Sequence, residues 1–179
     1  MTPARAPAVT VVGVLLIVLG SALVGWCLLD RGSPGAASGS GPAARVVVQD
    51  VSPAEAPFAT FTAGTIRVGG RPVEVVVADN QAERVQGLRG RPDPAPYAGM
   101  LFVFPSRSTG AFTMAGVPDA LEIAFFDVGG RRVDRLLMEP CSGTDATCPV
   151  YEADGPYRYA LETAPGEMPA GRLRVAGSG

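Results

Sequence analysis

The run AVTVVGVLLIVLGSALVGWCLL, from Ala8 to Leu29, carries no charge, and it limits the chain more than any other feature. At about 1.5 Å per residue a helix over this run is roughly 33 Å long, enough to cross the hydrocarbon core of a bilayer. Arg5 precedes the run, and Asp30 and Arg31 follow it. That distribution favours a cytoplasmic N-terminus and an exported remainder. Trp26 falls near the outer end, where an indole prefers the membrane interface. Residues 1–30 are therefore read as an uncleaved transmembrane signal anchor. The small residues of SPGAAS, around Ala37, keep cleavage and secretion open as the alternative. Cys27 follows Trp26, where a lipoprotein signal needs a small residue, so it is read as one more apolar residue of the run.

Residues 31–62 begin RGSPGAASGSGPAA, too small and polar to bury a core, and are read as a flexible tether. RVVVQDV could form a strand there, but SPAEAP interrupts it. The compact domain is expected over residues 63–179. TIRVGGRPVEVVVA places two β-rich runs around Gly69-Gly70, a hairpin signal, with Val73, Val75 and Val77 on one face. Asn80 followed by Glu83 is a capping-box pattern, and Gly87 can end the short helix it starts. MLFVF reads as a buried strand ended by Pro105, and ALEIAFFDVGGRRVDRLLM as two strands about Gly129-Gly130. YRYALET and RLRVAG close the chain. The expectation is a mainly β domain with one short helix, either a compact β-sandwich or a partly open barrel.

The 15 basic residues are all Arg, set against 17 acids, and there is no His. This removes the commonest proton shuttle and metal ligand, and with them the usual Ser-His-Asp and Cys-His catalysis. No basic cluster marks a nucleic-acid surface. Cys141 and Cys148 lie in a Gly/Ser/Thr/Asp/Pro-rich loop. Zinc needs about four ligands, which the domain does not supply, and the spacing is not Cys-x-x-Cys. A cysteine pair in an exported domain is read as a disulfide. No metal and no cofactor are expected.

The ordered motifs ERVQGLRGR, GMLFVF, FTMAGVPDALEIAFFD, MEPC…CPVY and YALE resemble domain-of-unknown-function family 192 over about Thr65 to Gly177. The resemblance implies a compact, mainly β domain with one helix near its start, often exported or anchored, and no established activity. The family's polar stretch usually runs F-W-M-K-N-T, two residues, then P-L-D. Here Phe112 and Met114 persist. Thr113 stands where Trp is usual, Ala115 where Lys is, Gly116 where Asn is and Val117 where Thr is, with Ala120 for the Pro and Glu122 for the Asp. Arg84, Gly87, Leu88, Arg91 and Glu162 match the family pattern.

Candidate binding residues are Arg84, Arg91, Glu122, Met114 and Glu162. Strand alternation puts Leu121, Ile123 and Phe125 on one face and Glu122, Ala124 and Phe126 on the other. Glu122 is expected to pair with Arg84 or Arg91, tying helix to sheet. Arg84, Arg89 and Arg91 could together hold an anion. The reading that follows is an extracytoplasmic binding or interaction module, single-pass in the cell membrane, whose partners are the membrane and an unidentified envelope ligand or protein. The alternative is an envelope hydrolase or transferase using Glu122 as its candidate catalytic acid, with an arginine to hold an anionic substrate. That reading needs a second group from Asp127, Glu162 or Tyr151.

Overall fold

The computed structural model describes residues 45–176. The apolar run and the first part of the tether lie outside them. Nine strands and one short helix form along the described chain. They are β1 (Gln49–Pro53), β2 (Thr62–Val68), β3 (Arg71–Ala78), α1 (Gln81–Gln86), β4 (Gly99–Ser108), β5 (Phe112–Thr113), β6 (Leu121–Phe126), β7 (Arg132–Met138), β8 (Val150–Tyr151) and β9 (Tyr157–Thr163). Seven strands make one sheet in the order β1-β2-β3-β4-β9-β6-β7, and β5 and β8 make a two-stranded ribbon. The domain is thus mainly β with one short helix, as its sequence implies.

Local chemistry places the elements. Gly69 and Gly70 both have positive φ and turn β2 into β3, with Val68 opposite Arg71. Asn80 accepts from the Glu83 N–H while the Glu83 carboxylate accepts from the Asn80 N–H, so both arms of the capping box are made. Gly87 ends the helix at φ +48°. The crossover through α1 lets β4 run parallel to β3, whereas every other neighbour in the sheet is antiparallel.

Both faces of the sheet are covered. On one face, Met100, Phe102, Leu121, Ile123 and Phe125 pack under Phe58, Phe61, Leu88 and Met114. On the other, Val73, Val75, Val77, Leu101, Phe126 and Leu161 pack under Met168, Leu173 and Val175. The sheet also curves. Laid flat, β2 and β6 would be about 19 Å apart at roughly 4.8 Å per strand spacing. Yet the Gly69 N–H donates to the Arg172 carbonyl and the Leu173 N–H donates to the Gly130 carbonyl, so the C-terminal segment is stitched to the hairpin turns of both strands. A Cβ on Gly130 would lie 1.9 Å from the Leu173 oxygen, so that stitch requires glycine.

Three expectations are corrected. The folded unit begins upstream of Ala63: β1 pairs with β2, and Phe58 is fully buried, so part of the expected tether belongs to the domain. SPAEAP does not end the structure there, because Phe58 and Phe61 supply the apolar surface that a free linker lacks. The strand MLFVF continues past Pro105 to Ser108. Its pairing with β9 shifts between Val103 and Ser108, so the missing proline N–H falls at an irregularity in the ladder. RLRVAG makes isolated bridges, Leu173 to Val68 and Val175 to Val46, instead of a full strand.

Candidate functional site

Pleating decides where the two family acids go. On β6, Glu122 shares a face with Ala124 and Phe126, on the side of the C-terminal segment. On β9, Glu162 shares a face with Ala160, on the side of α1. The two carboxyls therefore project from opposite faces of one sheet.

Glu122 is fully engaged. Its Oε1 accepts from Arg135 Nε on neighbouring β7, and its Oε2 accepts from the Gly166 N–H at 3.2 Å. The Arg135 bond is the chief reason its carboxyl is held below the ordinary glutamate value, with burial opposing and the Gly166 N–H assisting. The expected partners Arg84 and Arg91 are corrected: both lie on the other face. Arg84 donates to the carbonyls of Asp79 and Val103 and stacks over Phe104. Arg91 donates to the Pro57 carbonyl and lies over Phe58, 4.8 Å from the ring centre. Regular counting back from the strand ends that flank the Gly129-Gly130 turn sets Arg135 opposite Ile123, on the other face; a bulge between Phe125 and Phe126 moves it opposite Ala124 and so to the side of Glu122.

Glu162 is the reverse case. Only 6% of it is exposed, and among the described residues no hydrogen-bond or ion-pair partner meets its carboxyl. Burial alone pushes the carboxyl up to about 8. It lines a cavity of about 330 Å³. Phe102 and Phe104 come from β4, Phe112 and Thr113 from β5, and Tyr157 from β9. Arg84 comes from α1, and Gly87, Leu88 and Arg89 from the chain just after it. The rings pack edge to face, with Phe102–Phe112 centres 5.1 Å apart and Phe104–Tyr157 centres 5.2 Å apart. The Tyr157 hydroxyl donates to the Gly110 carbonyl at 2.7 Å.

Arg89 fastens one wall. Its guanidinium donates to the Ala115 carbonyl and to the Val85 carbonyl, and it pairs with Asp145. Asp145 sits in the loop closed by the Cys141–Cys148 disulfide, which forms as its spacing and expected compartment implied. The Gly90 N–H donates to the Gly116 carbonyl. ERVQGLRGR and FTMAG, distant in sequence, thus meet at the cavity.

Of the candidate residues, Arg84 and Glu162 line the cavity, while Met114 is buried in the core beside it. Arg91 and Glu122 do not line it. Arg84, Arg89 and Arg91 bind different carbonyls and acids and do not converge on one anion site. Among the described residues no group of three or more acids, cysteines or histidines is placed to hold a metal ion.

A curved β domain with a ligand-sized cavity over a buried, unpartnered acid is the class that fold and site define. The chain belongs to domain-of-unknown-function family 192, uncharacterized ACR, whose profile matches residues 64–176. No curated protein matches it. Two solved structures share the fold. A proposed transcription regulator from Sinorhizobium meliloti 1021 is 23% identical with a TM-score of 0.51, the match covering 63% of this chain and 92% of that one. A protein of unknown function from Novosphingobium aromaticivorans DSM 12444 is 19% identical with a TM-score of 0.56, covering 71% and 94%.

Proposed function

We propose that this protein is a binding module held on the outer side of the cytoplasmic membrane by its N-terminal segment, and that its ligand site is the cavity over Glu162. One observation carries the reading. A largely buried carboxyl without a protein partner forfeits hydration, at a cost of about 1–3 kcal/mol. An apolar residue of the same size would avoid that cost, so the acid at the floor of an aromatic cavity is best accounted for by a ligand. A volume of about 330 Å³ suits a small molecule. Thr113 in place of the family's usual Trp leaves space in that wall. The uncharged Ala8–Leu29 run and the disulfide both favour an exported, tethered domain.

The alternative hydrolase or transferase built on Glu122 draws no support from the geometry. Glu122 is neutralised by Arg135, and Glu162 lies on the opposite face. Asp127 is held by the Gly129 and Arg131 N–H groups in the β6–β7 turn. The Tyr151 hydroxyl bonds the backbone at Glu139.

The test is a thermal-shift screen of small neutral and charged fragments on the full chain in mild detergent, alongside Thr113→Trp. Fragments should stabilise the wild type and lose that effect when the indole fills the cavity. A screen with no stabilising fragment, or equal effects on both proteins, rejects the site. Protease added to spheroplasts should remove the folded domain from its anchor, and its survival there would reject the topology.

A further inference from the structure

We propose that the cavity selects an organic ammonium ion: a small apolar body bearing an amine, with the nitrogen bound at the Glu162 carboxylate. The inference rests on the binding-module reading and adds the chemical class of the ligand.

The lining argues for this class in three ways. Its one ionisable group without a protein partner or carbonyl contacts is an acid, Glu162. The guanidinia that could attract an anion are already committed. Arg89 serves Asp145 and two carbonyls, and Arg84 serves the Asp79 and Val103 carbonyls. The remaining surface is aromatic: Phe102, Phe104, Phe112 and Tyr157. Aromatic rings offer an apolar body dispersion contact and attract a cation to their faces. A carboxylate removed from water needs a cation beside it, and an ammonium ion brings one with three donors.

Binding should carry a proton signature. Burial holds the Glu162 carboxyl protonated below about pH 8. When an ammonium ion enters, that O–H bond breaks, the proton leaves to solvent, and a carboxylate–ammonium pair remains. One proton is released for each ligand bound. Apparent affinity should then rise by up to about tenfold per pH unit from pH 6 toward pH 8. The other charged or titratable groups facing the cavity are Arg84, Arg89, Asp145 and Tyr157. Guanidinia keep their charge throughout this range. Burial pushes the Tyr157 phenol upward, so it stays neutral. Asp145 is ion-paired with Arg89.

The experiment is titration calorimetry on the full chain in detergent with 2-phenylethylamine and its neutral counterpart 2-phenylethanol, at pH 6 and pH 8, in buffers of different ionisation heat. The amine should bind more tightly than the alcohol at pH 8, by about tenfold or more. It should release close to one proton at pH 6 and lose its pH dependence in Glu162→Gln. If the alcohol binds as tightly as the amine, or amine affinity is flat with pH, the ammonium proposal falls while the cavity stands as a neutral-ligand site. If neither probe binds, or Thr113→Trp leaves binding unchanged, the proposal and the site fall together. The buffer-dependent heat is measured on the wild type, so the result does not depend on the Gln variant folding.

Discussion

On neighbouring strands β6 and β9, Glu122 lies opposite Thr163 and Glu162 lies opposite Ile123. One register step separates two acids of the same type, and the pleat sends them to opposite faces. Glu122 meets a guanidinium and a backbone N–H, and its charge is stabilised. Glu162 meets rings and a cavity, and its charge is penalised. The first face is closed by chemistry within the fold, through the C-terminal segment that supplies Gly166 and Met168. The second is closed by loops that leave a space. A carboxylate's role is thus set by what packs over its face of the sheet, and the acid that looks more chemical in sequence, within the family's polar stretch, is the structural one.

The largest expected effect breaks the comparison at Glu162. Its carboxyl is raised from 4.5 to about 8, so the folded protein holds a proton that the unfolded chain has lost over that interval. Stability should fall as pH rises from about 4.5 to about 8, by up to about 5 kcal/mol. Glu162→Gln should remove this slope. Urea melts of both proteins at pH 5 and pH 9 measure it, and an unchanged slope in the variant would place the acid in contact with water or a cation.

Next comes the disulfide loop at the cavity wall. Cys148→Ala opens a short ring and should cost on the order of 2–3 kcal/mol. Sulfurs joined in a disulfide offer no thiolate, so alkylation in denaturant before reduction should leave both unlabelled. Rapid labelling of the exported protein would reject the staple.

On the closed face, Glu122→Ala should cost about 1.5–3 kcal/mol, the range for hydrogen bonds to a charged group. Arg135 is part exposed, so its guanidinium returns to water instead of being stranded. Because the Glu122 carboxyl is lowered, its contribution is present above the ordinary glutamate value and is lost as pH falls through the folded one. A double-mutant cycle with Arg135→Ala should give coupling at pH 7 that fades in acid. Additive effects would mean that the pair contributes nothing.

Much of this asymmetry could be read from sequence, and the unreadable part has a physical reason. Two-residue alternation in LEIAFF assigned the faces of β6 correctly, because pleating is local. The Gly-Gly turns and the capping box were equally local. The partner of Glu122 is not legible from arginine density, which points to the helix: hairpin pairing brings β7 beside β6, and a bulge between Phe125 and Phe126 turns Arg135 to the Glu122 face. The cavity was not legible. It depends on β9 inserting between β4 and β6, a pairing between segments far apart in the chain. The two-residue strands β5 and β8 carry too few residues for any period to appear. Phe58 and Phe61 sit among prolines that resemble a linker, and only the sheet beneath reveals their burial.

The smallest expected effect sharpens the comparison at the rim. Arg89 and Asp145 join the helix end to the disulfide loop, but the aspartate side chain is 66% exposed. An ion pair so close to water contributes about 1 kcal/mol or less and weakens with salt. Asp145→Asn should therefore lower stability by less than about 1 kcal/mol, and the difference from wild type should shrink further in high salt. The wall itself should hold, because Arg89 keeps its bonds to the Ala115 and Val85 carbonyls. Binding of 2-phenylethylamine then separates two accounts of the loop. If Cys148→Ala weakens binding and Asp145→Asn does not, the disulfide shapes the wall through the backbone. If both weaken it equally, the loop acts through the charge that it presents to Arg89, and the open face depends on a rim ion pair much as the closed face depends on Glu122 and Arg135.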